Sequence, residues 1–280
     1  MSLFQTSPCQ SINLSGQLMT FETPKIMGIL NVTPDSFFDG GQHNTVDQAI
    51  SHAEKLILAG ADILDIGPYS SRPGAKEISS QQEMDRALPI IELIKKEFPH
   101  IPLSIDTYRA DVAEAAVGAG VVIINDISGG TLDKNMFKTV ARLQVSYVLM
   151  HMRGTPATMQ QFTQYDDLVN DIAVHLGHAI ASLRELGIKD IILDPGYGFS
   201  KTIDQNYELL MRVAELHYFN LPILGGISRK SMIYKKIGQT ADQVLAGTTA
   251  LNTLLLERGV QLLRVHDVAE AKQLINLFYT

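Results

Sequence analysis

Residues Ile26–Gly41 read IMGILNVTPDSFFDGG, and the rest of the chain repeats the pattern of this stretch. Its first half, Ile26–Val32, is an apolar run of strand length and β-branched character that contains one polar residue, Asn31. Its second half is a polar loop, and Pro34 near the start of that loop cannot continue a central strand. A buried strand that ends on an amide and opens into a loop of Gly, Asp and Ser is typical of a parallel barrel that carries functional groups at its strand ends.

Eight short apolar runs of this kind follow one another along the chain. They span residues 26–32, 63–66, 103–105, 121–124, 145–150, 191–193, 223–224 and 262–265. Helical spacing of apolar residues predicts helices between them, over 46–59, 80–98, 110–119, a stretch before 145, 166–186, 207–216 and 241–257, and a short helix closes the chain. Regular alternation of strand and helix implies a parallel sheet with right-handed crossovers. Eight such units in a chain of this size predict a closed (β/α)₈ TIM barrel as a single domain over residues 25–280.

Residues 1–24 precede the first barrel strand and carry short apolar segments among Ser, Gln and Gly. We expect an N-terminal extension there, either a small hairpin that caps one end of the barrel or a frayed segment. A doubly wound open sheet is the alternative fold for the rest of the chain. It is less favoured because the loop after the first strand lacks the G-x-G-x-x-G pattern.

Composition narrows the class of protein. The 280 residues are 45% hydrophobic and 19% charged, which is typical of a globular protein with a deep interior. The net charge of −7 argues against a nucleic-acid-binding or anionic-membrane-binding surface. A local cluster of Arg, Lys and His can still bind a small anion.

The cysteine content and the N-terminal sequence indicate the cellular compartment of the protein. Cys9 is the single cysteine, so no intrachain disulfide and no cysteine-based metal site can form. The first twenty residues show no secretory signal pattern, and no apolar run approaches the length of a membrane span. We therefore expect a cytoplasmic protein.

Polar residues follow the predicted strands, and a barrel brings all strand ends to one face. The set is Asn31, Asp106, Asn125, Asp194, Lys230, Arg264 and His266. Two carboxylates and an amide at that mouth can bind the donor edge of a flat heterocycle. An arginine and a histidine two residues apart, together with Asn31, can hold a phosphate and its metal ion.

Each of these interpretations has a structural alternative. Asp106 and Asp194 could instead cap the helices that follow them, since Asp is a good N-cap residue. Arg264 and His266 could form a surface ion pair with Asp267.

Other motifs in the sequence suggest a P-loop, a soft-metal site or a nucleophile elbow, and none of these interpretations is favoured. Lys201-Thr202 and Lys230-Ser231 lack the glycine that precedes lysine in a P-loop. Met150-His151-Met152 suggests a soft-metal site, but strand alternation places His151 on the side opposite the two Met residues, which favours a core position. Gly226-Ile227-Ser228 is not a nucleophile elbow, because Lys230 stands where glycine is needed.

With these residues in view, the chain closely resembles the dihydropteroate synthase family, whose members join a dihydropterin to 4-aminobenzoate. The resemblance runs from Ile26 to the end of the chain and rests on ordered segments. These are GILNVTPDSFFDGG from Gly28, SSRPGA from Ser70, SIDT from Ser104, IIND from Ile123, LMHMRGTPATMQ from Leu149, LDPGYGF from Leu193, SRKS from Ser228 and RVHD from Arg264. Several matches in the right order are far more specific than one motif. The resemblance implies the same (β/α)₈ barrel.

The resemblance also implies site residues. The pterin would be bound by Asp106, Asn125, Met150, Asp194, Phe199 and Lys230. The pyrophosphate would be bound by Asn31, Ser71, Arg264 and His266, with Asn31 as the Mg²⁺ ligand. The 4-aminobenzoate would be surrounded by Asp39, Ser71, Arg72, Pro73, Lys230 and Ser231. The groups with a catalytic role would be Asp39, Lys230, Arg264 and His266.

The implied reaction displaces pyrophosphate from the methylene carbon of 7,8-dihydropterin pyrophosphate by the aromatic amine. Mg²⁺ is the implied cofactor, sulfonamides that mimic 4-aminobenzoate are the implied inhibitors, and a homodimer is the implied assembly. Nucleic-acid and membrane partners are not expected.

The chain departs from the family pattern in three places. Pro68-Tyr69 stand where many relatives have Gly-Glu, Ser200 replaces a common Gly, and Gly226-Ile227 replace the more usual Gly-Thr. Three other functions remain open at this point. They are a pterin-binding barrel of a corrinoid methyltransferase, a non-catalytic pterin-binding paralogue, and an aldolase that uses Lys230 as a Schiff base.

Overall fold

The structure is a computed structural model that describes residues 10–33, 42–69 and 78–279. The strands are β1 Ser11–Leu14, β2 Gln17–Thr20, β3 Lys25–Asn31, β4 Ile63–Gly67, β5 Leu103–Asp106, β6 Ile123–Asp126, β7 Ser146–Met150, β8 Ile191–Asp194, β9 Leu224–Gly225 and β10 Leu262–Val265. The helices are α1 Gln42–Leu58, α2 Ser80–Glu97, α3 Ala110–Gly118, α4 Met136–Leu143, α5 Leu168–Glu185, α6 Ile203–Arg212, α7 Ser231–Ile237, α8 Leu245–Glu257 and α9 Val268–Tyr279. Short 3₁₀ segments occupy Met159–Gln161 and Val213–Phe219.

Strands β3 to β10 form one parallel sheet that closes on itself. Its strand order is β8-β7-β6-β5-β4-β3-β10-β9. A parallel bridge between Leu193 and Ile223 joins the two ends of this order. The predicted (β/α)₈ barrel is therefore confirmed, and the open doubly wound sheet is excluded, because an open sheet would leave two unpaired edges.

An antiparallel hairpin of β1 and β2 covers the N-terminal end of the barrel. Its turn, Ser15-Gly16, has positive φ at both residues, 51° and 96°, which matches the twist of a two-residue hairpin. Ile12 and Leu14 pack with interior residues from seven barrel strands, namely Met27, Ile63, Ile123, Val148, Ile192, Leu224 and Leu262. The hairpin thus closes one end of the barrel with apolar side chains. The division of the chain at residue 24 remains a prediction.

A second, larger core lies between the strands and the surrounding helices. Two helices around it begin with capping boxes, at Ser79 before α2 and at Thr202 before α6. Each cap satisfies backbone N–H groups that a helix start leaves without a partner. Thr202 therefore has a structural role, in agreement with the rejection of a P-loop at Lys201-Thr202.

Helix α7 was missed by the sequence reasoning, and α8 begins at Leu245 rather than at residue 241. Helix α7 has seven residues and ends at Gly238, whose φ is 70°. Seven residues are too few to show two repeats of a helical apolar pattern. Within the described ranges, no helix is long and apolar enough to cross a membrane.

Candidate active site

The carboxyl ends of the barrel strands bring most of the predicted site residues to one mouth. Asn31, Asp106 and Asp194 are the last residues of β3, β5 and β8. The others described are Asn125 in β6, Met150 in β7, Phe199 after β8, Lys230 and Ser231 after β9, Arg264 in β10 and His266 after it. Four predicted residues, Asp39, Ser71, Arg72 and Pro73, lie outside the described residues.

The guanidinium of Arg264 is held between two carboxylates. Its Nε and Nη2 each lie 2.6 Å from Oδ2 of Asp65, and its Nη2 lies 2.7 Å from Oδ2 of Asp106. Asp267 pairs instead with Arg229, at 3.0 and 2.5 Å. The surface ion pair of Arg264 with Asp267 is therefore wrong, because Arg264 points into the barrel mouth and Asp267 has a different partner.

Asp106 is a buried carboxylate with two neighbours. Arg264 binds Oδ2, and the hydroxyl of Tyr69 lies 3.4 Å from Oδ1. Burial raises the pKa of Asp106 to about 7, with Arg264 opposing the shift and the charges of Asp65 and Glu83 adding to it. The sequence had marked Tyr69 only as a departure from the family pattern, and the structure places it in contact with a predicted pterin residue.

Asp194 and Lys230 lie close together on the other side of the mouth. A Cβ built on Gly226 would lie 3.9 Å from Oδ2 of Asp194 and 3.9 Å from Nζ of Lys230. Burial raises the pKa of Asp194, opposed chiefly by the charge of Lys230. Burial lowers the pKa of Lys230 to about 8, opposed chiefly by the charge of Asp194. Each charge therefore makes the other less costly to bury.

Neither Asp106 nor Asp194 caps the next helix, so the capping interpretation is wrong. The N-cap of α3 is Arg109, and that of α6 is Thr202. The Oδ1 atom of Asp194 accepts a hydrogen bond of 2.7 Å from the backbone N–H of Gly196. This bond shapes the turn after β8, and the second oxygen is left for another partner.

An apolar wall lines the mouth beside these charges. Met150 and Phe199 belong to one buried cluster with Ile127, Met152 and Met159, and Tyr69, Tyr108 and Leu132 pack against it. The ammonium of Lys230 lies 4.8 Å from the centre of the Phe199 ring and donates a 2.5 Å hydrogen bond to the carbonyl of Tyr197. A flat ring can therefore contact apolar side chains on its faces while its edge meets polar groups.

His266 is positioned by Ser228, to which the sequence reasoning gave no role. Nδ1 of His266 lies 3.1 Å from the Ser228 hydroxyl, and its backbone N–H donates to the same oxygen at 3.2 Å. Arg229 adopts the left-handed conformation, with φ of 57°, in the turn between β9 and α7. This turn places Lys230 as the N-cap of α7 and Ser231 as its first residue.

Lys201 is a second residue to which the sequence reasoning gave no role, because it was considered only as a P-loop lysine and rejected as one. Its ammonium donates to the carbonyls of Gly196 and Phe199, both at 3.0 Å, and lies 3.1 Å from Nδ1 of His151. His151 is fully buried, which confirms its core position. A lysine next to the helix cap Thr202 in a glycine-rich turn is the only sequence signal, and it does not distinguish a buried lysine from an exposed one.

Asn31 at the end of β3 fits one protein ligand of a Mg²⁺ ion whose other ligands would come from water and substrate. A Cβ on Gly67 would lie 2.8 Å from Oδ1 of Asn31, so the glycine leaves room for this amide oxygen at the mouth. The part of the chain that the structure describes contains no group of three His, Cys, Asp or Glu side chains that could hold a metal. One oxygen ligand suits Mg²⁺, which usually keeps several waters and takes further ligands from substrate phosphates.

Comparisons with known proteins agree with this geometry. Residues 27–266 match the family described as pterin binding enzyme. The dihydropteroate synthase of Escherichia coli is 41% identical over 257 residues, which are 91% of this chain and 90% of that protein. The Yersinia pestis dihydropteroate synthase, solved with a sulfonamide drug, superposes with a TM-score of 0.90 at 40% identity, over 96% of this chain and 98% of that one. The Xanthomonas albilineans enzyme, solved with 7,8-dihydropteroate, gives 0.85 at 36% identity, over 96% and 97% of the two chains.

The fold and the mouth residues therefore define a pterin-binding enzyme built on a (β/α)₈ barrel. More narrowly, the chain belongs to the dihydropteroate synthase family and is a transferase. The family match runs through the strand ends that carry the polar residues described above.

Proposed function

We propose that this chain condenses 7,8-dihydropterin pyrophosphate with 4-aminobenzoate to give 7,8-dihydropteroate and pyrophosphate. The observation that carries this proposal is the arrangement at the barrel mouth. Three acceptor side chains, Asp106, Asn125 and Asp194, lie at the ends of separate strands beside an apolar wall, and Arg264 of β10 binds Asp106. This combination fits a flat heterocycle that carries an anionic group.

The pterin ring would lie against Met150 and Phe199. Its 2-amino group and adjacent N–H would donate to the carboxylate of Asp194, and Asn125 and Asp106 would bind its other edge atoms. Lys230 would donate to a ring acceptor, since its ammonium already lies 4.8 Å from the centre of the Phe199 ring and feels the charge of Asp194. The site would exclude water from the ring because Met150, Phe199 and Asp194 are all buried.

The pyrophosphate would lie between Arg264, His266, Asn31 and the loop that carries Ser71. When bound, Mg²⁺ at Asn31 would neutralise charge on the leaving phosphates. Arg264 and His266 would donate hydrogen bonds to the same oxygens. The bond from the methylene carbon to the pyrophosphate oxygen breaks with its electron pair going to pyrophosphate, and the amine nitrogen forms the new C–N bond and loses a proton.

The second substrate would enter over the pterin. Arg72, Pro73 and Ser71, with Lys230 and Ser231 at the start of α7, would surround 4-aminobenzoate, and Asp39 would stabilise the positive charge that develops on the pterin. No protein nucleophile is needed in this reaction. We further propose that sulfonamides compete for this place, that the enzyme acts as a homodimer, and that it works in the cytoplasm.

The deciding experiment mixes purified protein, dihydropterin pyrophosphate, 4-aminobenzoate and Mg²⁺, and measures both pyrophosphate and dihydropteroate. Equal amounts of the two products without any corrinoid would support the proposal. Pterin binding without turnover would instead indicate a non-catalytic barrel. Trapping of a substrate adduct on Lys230 by borohydride would indicate the aldolase chemistry.

A further inference from the structure

Asp65 is a buried carboxylate in the barrel mouth that the reaction above does not use. It lies in β4 and is 0% exposed, between the apolar residues Leu64 and Ile66. Its Oδ2 accepts a hydrogen bond of 3.0 Å from Nδ2 of Asn125, in addition to the two 2.6 Å contacts from Arg264. A single oxygen therefore joins two residues that belong to β6 and β10, each two strands away from β4.

A purely structural ion pair accounts poorly for Asp65. Burying a carboxylate is costly, and replacement of a buried ion pair by apolar residues is often neutral for stability. The Oδ1 atom of Asp65 is buried and has no hydrogen-bond partner among the described residues. The unpartnered oxygen adds to the cost of burying this carboxylate, so the ion pair by itself gives little net stabilisation.

The contact with Asp65 also decides which way the amide of Asn125 faces. An ionised carboxylate only accepts hydrogen bonds, so the nitrogen of Asn125 must face Asp65. The carbonyl oxygen of that amide is then directed away from Asp65. Asp65 therefore orients the amide of Asn125 in β6 so that its oxygen faces away as an acceptor. Asp65 also binds the guanidinium of Arg264 in β10.

We propose that Asp65 is a positioning residue that orients Asn125 and Arg264 for the pterin and the departing pyrophosphate. The inference rests on the proposed function, because it deepens the account of the same site. It predicts that loss of the Asp65 charge weakens substrate binding through two residues that Asp65 touches, although Asp65 itself contacts no reacting atom.

The test is Asp65→Asn, which keeps the size of the side chain but removes its charge. The new amide can donate as well as accept, so Asn125 is no longer forced into one orientation. We expect kcat/KM for dihydropterin pyrophosphate to fall about ten- to a hundredfold, as for a lost hydrogen bond to a charged group. Most of the loss should appear in the KM for the pterin substrate, and the KM for 4-aminobenzoate should change less than threefold.

The pH profile tests whether the Asp65 charge acts on Asp106. The groups facing Asp106 are Arg264, Asp65, Glu83 and Tyr69. The Asp65 charge raises the pKa of Asp106, so its removal should move the acid limb of kcat/KM to lower pH. A shift of this limb reports the lost Asp65 charge, whereas positioning is read from the pterin KM, which a merely structural role would leave within about twofold of wild type.

Glu83→Gln is the matched control. Glu83 is also fully buried, is paired with an arginine at 2.6 Å (Arg109), and has one unpartnered oxygen, but it contacts neither Asn125 nor Arg264. We expect this variant to lose stability, to keep its pterin KM within about twofold, and to show a smaller shift of the acid limb. If Asp65→Asn does not fold, Asp65→Thr, which suits a strand and keeps one oxygen, should show the same loss of pterin binding.

The outcomes distinguish the two proposals. No turnover by the wild-type protein would overturn the proposed function. Wild-type turnover together with a pterin KM within twofold of wild type in a folded Asp65 variant would overturn only the positioning role, whatever the acid limb does.

Discussion

The ammonium nitrogen of Lys201 lies 3.1 Å from Nδ1 of His151 in a region that solvent does not reach. Burial, and then the charge of Lys201, lower the pKa of His151, so the ring is neutral and Nδ1 accepts a hydrogen bond from the ammonium. The same ammonium binds the carbonyls of Gly196 and Phe199. One buried lysine therefore joins the loop after β8, which carries Phe199, to the end of β7.

The first prediction concerns these contacts of Lys201. Below pH 7, where Lys201 is protonated in the folded protein, Lys201→Met should lower the free energy of unfolding by about 2–4 kcal/mol, because three buried acceptors lose their donor. It should also raise the pterin KM, since Phe199 loses an anchor. Lys189→Met, at an exposed lysine, is the control. Denaturant unfolding and steady-state kinetics check both parts, and wild-type stability in Lys201→Met would show that the loop holds without the lysine.

The second prediction is that the difference in unfolding free energy between wild type and Lys201→Met depends on pH. Burial lowers the pKa of Lys201 to about 7, from an ordinary value of 10.5. Between these values the unfolded chain holds a proton that the folded chain has released, so the stabilisation by Lys201 should increase as pH rises from about 7 towards 10. Unfolding of wild type and Lys201→Met at several pH values measures it. A difference that is constant with pH would mean that Lys201 stays protonated in the folded protein.

The third prediction concerns Lys230. If its ammonium binds the pterin and borders 4-aminobenzoate, Lys230→Ala should reduce kcat/KM about ten- to a hundredfold, as expected for a lost charged hydrogen bond. Lys235→Ala, at an exposed residue of α7, should leave activity unchanged. Activity of Lys230→Ala within twofold of wild type would reject this role.

The fourth prediction concerns Asp194. A carboxylate can accept hydrogen bonds from both the 2-amino group and the adjacent N–H of a pterin, whereas an amide replaces one acceptor by a donor. Asp194→Asn should therefore reduce pterin affinity by about a hundredfold or more, with the fold retained. Asp190→Asn makes the same change just before β8, at the hairpin end, where Asp190 accepts a 2.7 Å bond from the Asn13 backbone. Calorimetry that finds equal pterin affinity in Asp194→Asn and wild type would limit Asp194 to shaping its turn.

The fifth prediction concerns Tyr69. Its hydrogen bond lowers the pKa of Asp106, so Tyr69→Phe should raise that pKa above about 7 and move the acid limb of kcat/KM to higher pH. This direction is opposite to the one expected for Asp65→Asn. Tyr108→Phe is the control, because Tyr108 packs edge-to-face on Tyr69 at 5.4 Å between ring centres. An acid limb that does not move in Tyr69→Phe would show that the 3.4 Å contact carries no hydrogen bond in solution.

Much of the architecture could be predicted from the periodicity of apolar residues within single strands and helices. The alternation of eight apolar runs with helical stretches predicted the closed barrel, because strand and helix periodicities are local properties of the sequence. The gathering of Asn31, Asp106, Asn125, Asp194 and Arg264 at one mouth followed from the barrel alone, since parallel strands place their carboxyl ends on one face. Helix α7 was missed because a seven-residue helix has too little periodicity to detect.

The sequence by itself determined the fold, the family resemblance and the identity of the polar groups at the strand ends. Only the tertiary structure decided which of these groups meet. Asp65 lies in an apolar strand and looks like an interruption of that strand until β6 and β10 bring Asn125 and Arg264 against it, from 60 and 199 residues away. Lys201 likewise becomes a buried hydrogen-bond donor only when the end of β7 lies beside its loop. Hydrogen bonds and charges act over a few ångströms in space, and the order of residues in the chain does not specify those distances until the barrel closes.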